Sequence, residues 1–228
     1  YADQRHLGSF KDIVNLCYMQ RVPLSSTGYY ATPGIEVDDV GRGRPFQYFA
    51  YGAACAEVLV DTLTGEYKMT RVDIVHDAGR SLNPAIDLGQ IEGGFIQGVG
   101  WLTSEELYWD PQGRIKTHSP STYKIPTCSD LPLQFNVELY QSDNVEQTIY
   151  RSKAVGEPPL LLGFAVLFAI KDAVASVADY RRAAPLDAPA TPEAVLMAVE
   201  ALRLPTEPAP TTTERNPATV ATAERETV

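Results

Sequence analysis

The sequence predicts a mixed α+β fold, and three observations carry that reading. Strand-like runs are joined by hairpin-type turns. Helical runs range from strongly apolar to glycine-rich. The two kinds alternate irregularly rather than in the strand–helix–strand repeats of a doubly wound sheet. The chain has 228 residues, 44% of them hydrophobic, enough for a sizeable core.

Residues 10–21 place Phe10, Ile13, Val14 and Cys17 at helical spacing. Residues 23–44 carry Pro, Ser, Gly and Asp and read as a long loop. Phe46–Val60 and Tyr67–Val75 read as strands, and the intervening Asp61-Thr-Leu-Thr-Gly65 makes them a hairpin. Asp77–Pro84 is a turn-rich loop. Ile86–Leu107 reads as a helix despite Gly89, Gly93, Gly94, Gly98 and Gly100. Each glycine costs a helix interior roughly 1 kcal/mol relative to alanine, so close packing against another backbone or a bulky ligand is expected.

Residues 105–140 suggest further strands, broken at Asp110-Pro-Gln-Gly113, with Phe135–Tyr140 alternating as a strand does. Leu160–Tyr180 is dominated by Leu, Ile, Val, Phe and Ala and reads as a buried helix. Thr191-Pro-Glu193 supplies an N-cap, a first-position proline and an acidic first turn for a helix to about Leu202. Two segments follow: a folded region over 1–204, and a Pro-, Thr- and Glu-rich tail over 205–228 without a core-forming pattern.

The net charge of −10 opposes nucleic acid as a partner, because phosphate would be repelled. No run is expected to reach the length of a membrane span, no signal peptide is expected, and no membrane partner is indicated. The first residue is Tyr1 rather than Met, so the chain is read as a processed, nicked or truncated piece. Cys17, Cys55 and Cys128 are far apart and form no CxxC, and His6, His76 and His118 do not pair with them. No zinc or iron–sulfur site is expected from this chain alone. Free, buried thiols in a reducing cytoplasm are expected, with Cys55 packed in an apolar strand.

The most informative residue is Glu157, set in Arg151-Ser-Lys-Ala-Val-Gly-Glu-Pro-Pro-Leu160. Proline is well tolerated in a first helical turn, so Glu157 is expected at or just before a helix N-terminus. Free backbone N–H groups and the positive dipole end favour an anionic side chain there. Gly156 lets a ligand approach the backbone. Two readings stand: a capping carboxylate, or a rigidly held general base.

Gly89–Gly100 lacks the Gly-Lys-Ser/Thr of a phosphate-binding loop and does not follow a strand in a βαβ unit. Its amides, Gln90 and Gln97, suit a pterin edge or a phosphate, or simply face solvent while the glycines permit helix packing. His76 and Asp77 could form a dyad, but neighbouring strand residues point to opposite faces. No nucleophile elbow occurs.

Taken in order, Arg21–Tyr29, Phe49–Glu57, Asp73–Asp77, Ser81–Gly93, Ser121–Pro126 and Ser152–Leu160 resemble the C-terminal part of the molybdenum-binding subunit of the xanthine dehydrogenase/oxidase group, in the molybdenum hydroxylase family. The resemblance covers about residues 10–203 and leaves the tail without a counterpart. It implies that 1–204 is the C-terminal part of a molybdopterin-binding domain.

The resemblance further implies that Glu157 is the active-site base. It would take the proton from a hydroxyl on molybdenum, whose oxygen then attacks an electron-poor purine carbon while hydride passes to the sulfido ligand. Gln90 and Gly156 would contact the molybdopterin, and Ala154 and Val155 would line the substrate approach. No side chain here is implied as a metal ligand. The implied product is urate from hypoxanthine or xanthine, with aldehydes or other N-heterocycles as the alternative substrates and a non-catalytic assembly module as the alternative role. The implied partners are the remaining chains or domains, which carry FAD and 2Fe–2S clusters, in a hetero-oligomeric assembly that forms a dimer. The fragment alone would be inactive.

Overall fold

The computed structural model describes residues 8–204; His6 and the 205–228 tail lie outside them. The described residues form two units. The smaller comprises those up to Tyr48 together with Glu146–Thr148, and the larger comprises Phe49–Val145 and those from Ile149 onward.

In the smaller unit, α1 (Phe10–Met19) starts at Ser9, whose side chain exchanges hydrogen bonds with Asp12 in a capping box. The apolar stripe expected on this helix has the right spacing, yet no α1 residue is buried and Phe10 is 86% exposed. The loop expected at 23–44 contains a short antiparallel pair, β1 (Glu36–Val37) and β2 (Gly43–Arg44). Gln47 is buried, and its Nε2 donates to the Gln147 carbonyl at 2.9 Å.

The larger unit holds the core. β3 (Gly52–Val60) and β4 (Tyr67–His76) form the expected hairpin, although β3 begins at Gly52 rather than Phe46. The Asp61 N–H donates to the Glu66 carbonyl and the Gly65 N–H to the Asp61 carbonyl, both at 2.8 Å. Gly65 takes a left-handed φ of 77° that a side chain would resist. β5 (Gln134–Leu139) pairs parallel to β4, with Arg71 opposite Gln134 and His76 opposite Leu139. A parallel neighbour requires a crossover connection, and α2 (Pro84–Leu102) lies within it.

α2 is capped by the Asn83 side chain and opened by Pro84. It ends at Leu102, short of the expected Leu107, where the Thr103 hydroxyl donates back to the Val99 carbonyl at 2.6 Å. One face of the sheet, including Val72, Ile74 and the Phe135 ring, belongs with Ile91, Phe95 and Val99 of α2 to a single apolar cluster. The Phe95 and Phe135 rings lie 5.6 Å apart. A 3₁₀ turn, Pro158–Gly163, leads into α3 (Phe164–Ser176). α4 (Pro192–Arg203) is capped by Thr191 as expected.

Three expectations need correction. Pro158–Ser176 is a continuous 19-residue helical stretch of mean hydropathy 1.7, long and apolar enough by length and composition to cross a membrane. Val166, Leu167, Ile170 and Val174 lie in the apolar cluster, so it is built as a core helix. It is also only partly buried, since Leu161, Phe164 and Phe168 stay exposed. The cysteines are free, but Cys17 is half-buried and Cys55 and Cys128 are exposed. Strand alternation explains Cys55: Ala54, Ala56 and Val58 turn toward the core, and Cys55 takes the opposite face.

Candidate functional site

The site starts from glycine contacts. A Cβ on Gly98 would collide with the Leu160 carbonyl oxygen, and one on Gly163 would sit 2.7 Å from the Gly98 carbonyl carbon. At Gly94 it would meet the Gly156 carbonyl oxygen and Pro159 Cβ, both at 3.2 Å. These absent side chains let α2 lie directly on the backbone of residues 156–163. That is the backbone-on-backbone packing the glycine-rich sequence called for.

The same packing sets Gly156 beside Gln90. The position a Gly156 Cβ would occupy is 3.8 Å from Gln90 Oε1. Gln90, Gly93 and Gln97 are exposed along α2, and nothing lies within 4 Å of where a Cβ on Gly89 or Gly93 would be. The sequence-predicted cofactor residues Gln90 and Gly156 are therefore brought together on one open surface.

Glu157 follows directly and is exposed. Its carbonyl accepts the Leu160 N–H at 3.0 Å, which starts the 3₁₀ turn. Its carboxylate makes no capping hydrogen bond, so the capping reading is corrected. The helix begins as a 3₁₀ turn with prolines at its first positions, which leaves fewer N–H groups to cap. Among the described residues no hydrogen bond or ion pair engages this carboxylate. Ala154 is exposed beside it, whereas the Val155 side chain is 7% exposed and belongs to the apolar cluster.

The segment that carries these residues is tied to the end of β4. Lys153 Nζ donates to Asp77 Oδ2 at 2.6 Å and to the Phe49 carbonyl at 3.0 Å, and lies 5.5 Å from the Tyr51 ring centre. Asp77 Oδ1 accepts the Gly79 N–H at 2.8 Å and the Ser142 hydroxyl at 2.9 Å. Burial pushes the Asp77 carboxyl up, but the bonds from Lys153, Gly79 and Ser142 outweigh it and hold it below the usual value. Tyr150 and Arg151, just before, both take left-handed φ, 51° and 62°.

His76 and Asp77 do not form a dyad. His76 is buried, with Nδ1 lacking a partner among the described residues. Asp77 instead reaches Lys153, a partner the sequence reading missed. The available signal was a lone lysine in the otherwise uncharged stretch Ser152–Gly156. Among the described residues, no group of three His, Cys, Asp or Glu side chains is arranged to hold a metal ion.

This surface can be compared with known proteins. Residues 1–132 match the family described as a molybdopterin cofactor-binding domain. Xanthine dehydrogenase of Oryza sativa subsp. japonica is 51% identical over 201 residues, 83% of this chain and 15% of the relative. Aldehyde oxidase 2 of Rattus norvegicus is 49% identical over 195 residues, 84% of this chain and 14% of the relative. The crystal structure of the aldehyde oxidoreductase from Desulfovibrio desulfuricans matches 74% of this chain and 17% of its own, at 29% identity and a TM-score of 0.59. The chain thus spans about 15% of the length of the curated relatives it matches. A glycine-lined helix packed on the Gly-Glu-Pro-Pro turn and these matches lead to one conclusion: the chain belongs to the molybdopterin cofactor-binding domain family of the molybdenum hydroxylases.

Proposed function

We propose that the chain forms the base-bearing wall of the active site of a molybdenum hydroxylase that oxidises purines, taking hypoxanthine and xanthine to urate. The observation that carries this reading is the Glu157 carboxylate, exposed and free of any capping bond, next to the Gln90–Gly156 surface.

The residues fit molybdopterin. Gln90 offers an amide donor and acceptor, Gly156 leaves its backbone bare, and Gly89 and Gly93 leave room where side chains would stand. When bound, the cofactor supplies the redox centre and the Lewis acidity. Glu157 would hold the proton released at the reacting oxygen, on a carboxylate oxygen that no donor among the described residues occupies, while the electron pair would pass to the cofactor. Ala154 lines the substrate approach, and Val155, with its side chain in the core, fixes the backbone there. The remaining chains or domains carry FAD and the 2Fe–2S clusters and complete a dimeric, cytoplasmic assembly; the small share of the relatives' length covered here supports this division.

Relatives named xanthine dehydrogenase support the purine reading, and the near-equal identity to aldehyde oxidase 2 favours aldehydes as the second reading. The test uses the complete enzyme with and without Glu157→Gln, assayed on xanthine and on an aromatic aldehyde. A positioned base contributes roughly 100- to 10,000-fold, so urate formation should fall by at least that lower factor at unchanged molybdenum content. Near-normal turnover of the variant would leave only the assembly-module role. Turnover of the aldehyde without urate formation would transfer the assignment to the second reading.

A further inference from the structure

We propose that the buried Lys153–Asp77 ion pair is the positioning element for Glu157, holding the segment Ser152–Gly156 on the end of β4 so that the carboxylate after it is presented from one fixed place. This rests on the catalytic reading of Glu157.

Lys153 is not itself a substrate-facing group. Its side chain is 7% exposed, and its ammonium is occupied by Asp77 and the Phe49 carbonyl. Asp77 is 12% exposed and accepts from three donors. A buried ion pair is poor value for stability alone, since desolvation offsets most of the attraction. What this one adds is location, and the surrounding backbone is built to the same end. The Lys153 N–H donates to the Ala78 carbonyl at 2.8 Å, and Gly79 bridges to Ser152. The Arg151 carbonyl accepts the Arg80 and Asn144 N–H groups at 3.0 and 3.1 Å.

Gly79 must be glycine for this approach. Its φ is 61°, and a Cβ there would sit 2.5 Å from the Arg151 carbonyl oxygen. Successive left-handed non-glycine residues at Tyr150 and Arg151 are strained and persist only where neighbours over-determine them. The segment is thus clamped from Arg151 to Lys153, then passes Val155 into the core and Gly156 onto α2, and Glu157 follows with its carboxylate exposed.

The experiment replaces the pair in the complete enzyme by Lys153→Met with Asp77→Leu, which removes both buried charges together rather than stranding one. Rates are taken per bound molybdenum. Misplacement by about 1 Å can cost on the order of 100-fold, so kcat should fall at least about tenfold while KM moves by less than about threefold. In a Glu157→Gln background the same double substitution should cause no further loss, because a positioning residue has nothing left to position. A kcat within about twofold of the parent, or an equal loss in both backgrounds, overturns the proposal.

Should the double variant fail to accumulate, Ser142→Ala deletes one donor to Asp77 and carries the same comparison. A kcat loss that vanishes in the Glu157→Gln background supports the proposal, and an unchanged kcat overturns it. A Glu157→Gln enzyme with parental activity would instead remove the catalytic reading itself, whatever the pair does.

Discussion

The two faces of α2 use glycine in opposite ways. On the closed face, a Cβ at Gly98 would strike the Leu160 carbonyl, and Gly163 returns the contact from the other side. On the open face, Gly89 and Gly93 meet nothing within 4 Å, yet they flank Gln90, whose amide oxygen lies beside Gly156. Packing within the chain explains the first set and cannot explain the second. Glycine in a helix interior costs about 0.5–1 kcal/mol relative to alanine, and packing within the described residues offsets none of that cost at Gly89 and Gly93. Glu157 follows Gly156 in the chain; its carbonyl accepts the Leu160 N–H at the start of the turn, and its side chain is exposed and makes no capping bond.

The largest effect should come from breaking the closed face. Gly98→Ala puts a methyl group into the Leu160 carbonyl, so α2 or the 158–163 turn must shift to admit it. Overpacking of this kind costs about 1–3 kcal/mol and more where backbone must shift. Thermal inactivation of the complete enzyme should occur at clearly lower temperature, with reduced soluble yield; parental stability would mean that α2 and the turn separate easily. Gln90→Ala comes next. Losing one hydrogen bond to a ligand costs about 1 kcal/mol, so molybdopterin retention on dilution should weaken roughly fivefold while thermal stability of the cofactor-free protein is unchanged.

Gly93→Ala sharpens the contrast. In the cofactor-free protein it should stabilise by up to about 1 kcal/mol through helix propensity. In the loaded enzyme it should lower molybdopterin retention. Higher stability together with full retention would show that the open face at Gly93 meets no ligand.

What could be read from the sequence follows the range of the interaction. The α4 cap at Thr191, the hairpin turn at Asp61–Gly65 and the need for close packing at Gly94 and Gly98 are local signals, and each appears where expected. The place of Glu157 at the start of a helix was legible through its proline context, although its lack of a capping bond required the 3₁₀ geometry of the turn. The parallel β4–β5 pairing was not legible, because β5 carries nothing local that selects β4 as its neighbour. Nor was the Lys153–Asp77 pair, whose partners are 76 positions apart. Cys55 was misplaced because alanines flank it on both sides and mask the period-two pattern that decides which face is buried.

The smallest predicted effect separates the faces by pH. His76 lies on the closed side, where the Cβ position of Gly52 would be 3.0 Å from His76 Cδ2 and 3.3 Å from Leu162 Cδ1. Burial is the main cause that lowers its pKa from 6.5; Asp77 opposes the shift and Lys153 adds to it. A histidine whose folded value is depressed stabilises the fold fully above its unfolded value. That contribution is lost as pH falls toward the folded value. Asp77 is lowered as well, but from 3.8, so its contribution fades only in stronger acid.

Between pH 7 and 6 protonation in the unfolded state should begin to weaken the local fold around the histidine. Hydrogen exchange of the β4 amides and of residues 150–156 in the complete enzyme, corrected for intrinsic rates, should quicken over that interval. The change should disappear in His76→Leu, and amides in the open N-terminal half of α2 should not respond. A uniform response along α2 would mean that its two faces open as one unit, and that the division between a face built for the chain and a face built for a ligand is not energetic.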